Sequence, residues 1–407
     1  MIRGARQLLT LRGSNGPRCG TALGELGLIK DGSLLIRDGE LVEVGPTRRV
    51  ENLAEARRAT EINAAGRVVM PGFVDSHTHL AFPPPGEAGI ETEAAAREIR
   101  ATNGQRLERR ARNYLEAMAR HGTTTVEVKT GCGADERAEI KILRVLAAVK
   151  RVPLDVVATF LFRMTASGDG GSSENDWAFR DLMPKIRRRG LAAFADVVWE
   201  TDAGRLAGLV RYLGVARELG FPCKVHADQP NAGAAIQAAV GGMALTIDHL
   251  DWATASEAGL LAGSSTMATL LPYGPFQSGG PGAPARALID SGVPVALGSN
   301  FNPLLTPTLN MQTVVALACL RMRMTAAEAI SAATINGAHA VGRAGRTGSL
   351  EPGKLADVLI LDASDYQELA RRFGTNLVYL TMKRGEIIYK QGAVSGGWPD
   401  STTLPAV

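Results

Sequence analysis

The chain has 407 residues but only four cysteines, Cys19, Cys132, Cys223 and Cys319. They are far apart and none stands in a Cys-x-x-Cys pair, so reduced, mostly buried thiols are expected rather than a disulfide framework. No segment holds 18 uninterrupted apolar residues, which argues against a membrane span. The opening stretch MIRGARQLLTLRGSNG lacks the apolar run of a secretory signal. A soluble, cytoplasmic protein is therefore expected. A net charge of +4 without any Lys/Arg block does not imply a nucleic-acid partner. A Gly-rich dinucleotide loop is also missing, which weakens the case for an open doubly wound sheet.

What is present is an alternation. Short runs rich in Val, Ile, Phe and Thr occur at Gly72–His77, Thr123–Val128, Leu154–Phe160, Phe194–Trp199, Pro222–His226, Ala244–Asp248, Thr266–Leu271 and Val293–Leu297. Helix-like stretches such as Gln105–Arg120, Glu136–Lys150, Arg205–Leu219 and Pro284–Ser291 separate them. Strand alternating with helix gives a parallel sheet, and eight such units predict an α/β fold of the (β/α)8 barrel type. The ends differ. Residues 33–44 place two strand-like runs around Asp38-Gly39, a strong hairpin signal, and residues 348–392 are again β-like. The organisation expected is a small β-sandwich formed from both termini (1–65 and 346–394), a barrel over 66–345 and a tail over 395–407.

Active sites of such barrels lie where the strands end. The chain has six histidines, and four of them fall there. His77 and His79 form a His-x-His pair suited to a divalent metal; His226 and His249 end the fifth and sixth runs. His121 and His339 lie on helix-like stretches and read as surface or packing residues.

These positions carry a resemblance. Pro71-Gly-Phe-Val-Asp-Ser-His-Thr-His79 resembles the entry motif of the amidohydrolase superfamily, and Gly348-Ser-Leu-Glu-Pro-Gly-Lys-Leu-Ala-Asp-Val-Leu-Ile-Leu361 resembles its C-terminal signature. Gly122–Gly131, Val225-His-Ala-Asp228, Ala283-Pro-Ala-Arg286, Ala333-Thr-Ile-Asn336 and Phe373-Gly-Thr-Asn-Leu377 are similar to the imidazolonepropionase family, over nearly the whole chain. Members of that family open the imidazolone ring of imidazolone-5-propionate to formiminoglutamate in histidine breakdown, and they are usually homodimers. The resemblance implies one Zn or Fe ion on His77, His79 and His226, with the strand-eight position, Asn300, as fourth ligand. It also implies His249 beside the reacting water or the ring carbonyl.

Several positions depart from the family pattern. Asn300 replaces an aspartate that binds metal and shuttles a proton; an asparagine cannot take the proton. His249 or Asp228 is then the candidate shuttle. Gln229 stands for a glutamate, Met164 for a histidine and Cys132 for a tyrosine. The loop Ala81–Glu87 has no arginine to grip a propionate, while Asn302 matches. Arg163 and Lys129 are alternative anchors for an acidic substrate, with Glu127 and Glu200 as possible carboxylate partners. Two functions are open. One is a metal-dependent hydrolase of a small cyclic amide, with catalytic residues His249, Asn300 and Gln229 and substrate residues Cys132, Arg163, Met164 and Asn302. The other is a non-catalytic paralogue that binds a ligand or a partner subunit.

Overall fold

A computed structural model describes residues 1–13, 15–84, 92–132, 135–150, 153–164, 177–198 and 203–392. The chain begins with strands β1 (Ile2–Leu9), β2 (Leu28–Arg37), β3 (Glu40–Pro46), β4 (Ile62–Asn63) and β5 (Val68–Pro71). It continues through β6 (Phe73–Asp75), β7 (Thr123–Lys129), β8 (Asp155–Arg163) and β9 (Phe194–Val198). Then follow β10 (Cys223–Ala227), β11 (Thr246–His249), β12 (Met267–Leu270) and β13 (Val295–Leu297). It ends with β14 (Val358–Leu361), β15 (Val378–Lys383) and β16 (Glu386–Lys390).

Strands β6 to β13 form one parallel sheet in sequence order. Each of the eight runs found in the sequence contributes one of them. The ring is drawn together by the residues just beyond the first and last strands. Thr78 bridges Phe301, the His79 N–H donates to the Phe301 carbonyl at 2.6 Å, and the Asn300 N–H donates to the His77 carbonyl at 3.0 Å. The His77–His79 pair therefore sits on this closing segment, not within a strand. Strand β6 ends at Asp75, whose carboxylate accepts from the Ser299 N–H at 2.8 Å and from its hydroxyl at 2.6 Å. Gly298 lets β13 come this close: a Cβ there would lie 2.8 Å from the Cβ of His77.

Helices cover the outside of the sheet. Helix Gly104–Arg120 turns Leu107, Ala111, Leu115 and Met118 inward at spacings of three and four, and Asn103 caps its start by accepting from the Arg106 N–H. The second sheet joins both ends of the chain in the order β16-β15-β14-β5-β1-β2-β3, with β4 paired to β1. Its β2–β3 hairpin turns at Asp38 and Gly39, both left-handed (φ +52° and +79°), as a tight primed turn requires.

One buried cluster ties this sheet to the base of the barrel. Lys383 on β15 contacts Asp357 at 2.7 Å and Asp155, at the start of β8, at 2.8 Å. Removing one member of a buried ion group strands the other charges, at a cost of about 3–5 kcal/mol. Lys383→Met should therefore lower unfolding stability by about 3 kcal/mol in a urea titration. A loss below about 1 kcal/mol would show that the two sheets do not depend on this contact.

Candidate active site

A parallel barrel usually fills its interior with Val, Ile and Leu. Here the inward positions of four strands carry ionisable side chains: Glu127 and Lys129 on β7 and, beyond β8, Asp196 on β9, Lys224 and His226 on β10, and Asp248 on β11, all buried. The alternation of side chains along a strand puts Glu127 and Lys129, and likewise Lys224 and His226, on the same face. Lys129 Nζ lies 2.6 Å from Asp196, 3.0 Å from Asp248 and 3.3 Å from Glu127, and Lys224 Nζ lies 2.8 Å from Glu127. Burial alone would drive the proton off Lys129, but Asp196, Asp248 and Glu127 outweigh it and raise its pKa. Burial likewise pushes Asp248 upward, yet Lys129 and His77 hold it well below the usual carboxylate range.

The histidines stand on this charged floor. His77 Nδ1–H donates to Asp248 at 2.7 Å, and His226 Nδ1–H donates to Asp196 at 3.1 Å. An ionised carboxylate only accepts, so both rings carry their proton on Nδ1 and a lone pair on Nε2. His77 Nε2 faces His79 Nε2 at 3.1 Å, while the buried His226 Nε2 has no hydrogen-bond partner. Burial, then Lys129, keeps His77 neutral; burial, then His226, does the same for His79. His77, His79 and His226 each offer one ring nitrogen, all within 4.8 Å of one another. Nitrogens around one tetrahedral ion lie about 3.3 Å apart. Buried and convergent, with His77 and His79 held neutral, these three imidazoles fit a divalent metal.

His249 follows Asp248 and would point away from it on a regular strand. Left-handed backbone at His249 and Leu250 (φ +74° and +61°) redirects it, and its ring centroid lies 5.3 Å from those of both His77 and His226. Burial opposes its charge, but Asp251, at 3.5 Å, with Asp228 and Asp248, raises its pKa above the ordinary histidine value. Asp228 Oδ1 is buried without a hydrogen-bond partner.

The other residues singled out in the sequence are spread around this centre. Asn300 is half-buried and left-handed (φ +57°), a conformation asparagine tolerates, with its amide nitrogen beside Gly274. Gln229 is half-buried just past β10. Arg163 is exposed at the end of β8 and adds to the positive field on His79. Cys132 and Met164 are buried in apolar clusters, and burial pushes the Cys132 thiol well up. Asn302 is buried and accepts from the Leu304 N–H at 2.9 Å, bracing the loop after β13. Lys129 is enclosed beneath the imidazoles and is not an anchor at the mouth; Glu127 is one of its partners. Glu200 and residues 85–87 of the Pro-rich loop lie outside the described residues. His121 follows the helix Gly104–Arg120, and His339 lies in the helix Ile335–Ala340.

Sequence reasoning missed Asp196, Lys224 and Asp248. Their signal was a single charge inside an apolar run, as in Phe194-Ala-Asp-Val-Val198 and Thr246-Ile-Asp-His249.

The sequence pattern of the Amidohydrolase family matches residues 68–388. The chain belongs to the amidohydrolase family. Among curated relatives, this amidohydrolase is 36% identical to the imidazolonepropionase of Geobacillus kaustophilus (strain HTA426) over 97% of its own length and 98% of the relative's. It is 38% identical to that of Symbiobacterium thermophilum, with the same coverage. Among solved structures, it superposes on E. coli guanine deaminase with a TM-score of 0.73 at 16% identity, over 96% of this chain and 98% of the other. It matches 5-methylcytosine deaminase from Klebsiella pneumoniae with a TM-score of 0.71 at 20% identity, over 98% of this chain and 100% of the other. These likenesses support the fold. Among the described residues of this amidohydrolase, no helix is long and apolar enough to cross a membrane.

A raised histidine pKa stabilises the protonated form on folding. The contribution of His249 is therefore full below its unfolded pKa and fades as the pH rises through the folded one. The stability lost in His249→Gln should be larger at about pH 5 than at about pH 9, by paired urea titrations. A difference independent of pH, or larger at the alkaline end, would contradict this.

Proposed function

We propose that this amidohydrolase uses a single Zn or Fe ion to hydrolyse a C–N bond of a small cyclic amide, imidazolone-5-propionate or a close chemical relative. The observation that carries this reading is the convergence of three buried imidazoles, with a partnerless His226 Nε2, at the C-terminal ends of the strands. The imidazolonepropionase relatives, matched over 97% of the chain, weigh in the same direction and against a non-catalytic paralogue.

In this reading His77, His79 and His226 hold the ion, and the Asn300 carboxamide completes the set as a neutral contact. A divalent ion there supplies Lewis acidity and a hydroxide nucleophile near neutral pH. Asn300 cannot receive the proton that an aspartate would take. Asp228, with its unpaired Oδ1, accepts it, and His249, held protonated by Asp251, delivers one to the departing ring nitrogen. Gln229 hydrogen-bonds the ring amide, and Arg163 takes a substrate carboxylate. Cys132 and Met164 shape the apolar wall, and Asn302 holds the loop that presents Asn300. The enzyme works as a homodimer.

Elemental analysis of protein purified without chelator should find about one Zn or Fe per chain. The His77→Ala/His226→Ala double variant should lose it, and light scattering on the same samples should give the mass of a dimer. With metal present, imidazolone propionate and other cyclic amides bearing a carboxylate should be opened. Arg163→Gln should raise KM about 10- to 100-fold, with kcat nearly unchanged. Protein that takes up no metal even after incubation with Zn or Fe would overturn the hydrolase reading. An unaltered KM would remove Arg163 from it.

A further inference from the structure

We propose that Lys129 is the positioning residue of the metal site: one buried ammonium locks two aspartates, which in turn lock two imidazoles. This rests on the metal-site reading above and adds a cause for its geometry. The chain of contacts is continuous. Lys129 Nζ contacts Asp248 Oδ2 at 3.0 Å, and the same oxygen accepts from His77 Nδ1 at 2.7 Å. Lys129 Nζ also donates to Asp196 Oδ2 at 2.6 Å, and Asp196 Oδ1 accepts from His226 Nδ1 at 3.1 Å. Neither carboxylate has freedom left. The remaining oxygen of Asp248 accepts from the Thr246 hydroxyl at 2.7 Å; both oxygens of Asp196 are taken by Lys129 and His226, and its main-chain carbonyl accepts from the Tyr212 hydroxyl at 2.8 Å.

The main chain adds a second hold. The Lys129 N–H donates to the Thr78 carbonyl at 2.9 Å, and the Thr78 hydroxyl donates to the Glu127 carbonyl at 2.6 Å. Thr78 lies between His77 and His79, so the strand that carries the ammonium also fixes the backbone of the His-x-His pair. All of these side chains are buried, and water cannot substitute for a lost partner.

The ammonium also decides where a cation gathers. Asp196, His226 and Asp248 form a second potential ligand group with donor atoms within 4.8 Å, but Lys129 Nζ already lies against both of its carboxylates. A fixed positive charge there leaves the three imidazoles as the place for a mobile ion. Without it, the two carboxylates repel each other and the Nδ1–H partners of both rings are released.

The test is a comparison of two buried lysines. Lys224 is equally enclosed but is paired with Glu127 at 2.8 Å, a carboxylate that touches neither imidazole in the described ion pairs. Lys129→Met and Lys224→Met would each be titrated with Co2+ in competition with a chelator. Histidine-specific 15N NMR of the metal-free proteins would report the imidazole tautomers. Thermal unfolding would check that each variant is folded. Lys129→Met should bind Co2+ about 10- to 100-fold more weakly, the range seen when the partner of a ligating histidine is lost. Its His77 and His226 rings should pass from a single Nδ1–H tautomer to a mixture. Lys224→Met should keep the tautomers and an affinity within about 3-fold of the parent.

Unchanged tautomers in Lys129→Met, or an equal loss in Lys224→Met, would overturn the proposal. Should neither variant fold, the metal-free parent decides: a single Nδ1–H tautomer for both rings before any metal is added supports it, and mixed tautomers overturn it. A parent that binds no Co2+ defeats the metal-site reading instead. The tautomer measurement needs no metal, so the two failures are distinguishable.

Discussion

A fully buried ammonium must have carboxylates around it, because an unpaired charge in a dry interior costs several kcal/mol. Much of this barrel's interior follows from that constraint. Lys129 draws Asp196, Asp248 and Glu127 inward, and Glu127 in turn holds Lys224. Two ammonium groups face three carboxylates, while burial keeps His77 and His79 neutral. The floor beneath the imidazoles is therefore short of positive charge by one.

The same constraint separates the residues at the strand ends from those beneath them. Asn300, Gln229, Met164 and Cys132 all lie at or beyond the strand ends, where a side chain can change without leaving a buried charge unpaired. The floor has no such freedom: exchanging Asp196 for a neutral residue would leave Lys129 and the His226 ring without their partner. The strand ends can thus accept exchanges that the ion network beneath them cannot.

Much of the fold was legible in the sequence, because eight apolar runs alternating with helix-like stretches leave few architectures open. The Asp38-Gly39 hairpin was legible for the same reason, since a primed turn needs those residues. The four histidines at strand ends were visible too. The carboxylates beneath them were not. A lone aspartate in Phe194-Ala-Asp-Val-Val198 looks like a surface residue on a two-faced strand until the closed ring shows that its face is the interior. The orientation of His249 was hidden for a different reason: it depends on left-handed backbone at two consecutive non-glycine residues, which no alternation rule anticipates.

Ring closure runs through the site itself. Hydrogen bonds that join the first and last strands include those of His77, His79, Asn300 and Phe301 and of the Ser76 hydroxyl with the Leu297 carbonyl, and the Asp75–Ser299 contact beside them spans 224 residues of chain. During synthesis the His-x-His pair leaves the ribosome long before the segment that completes its surroundings. Until then the two imidazoles share no enclosed space with Asn300, and Asp75 has no Ser299 to bind. Maturation of the centre therefore coincides with the final long-range pairing of the chain, so a nascent or truncated polypeptide carries these histidines without the chamber that gives them their chemistry.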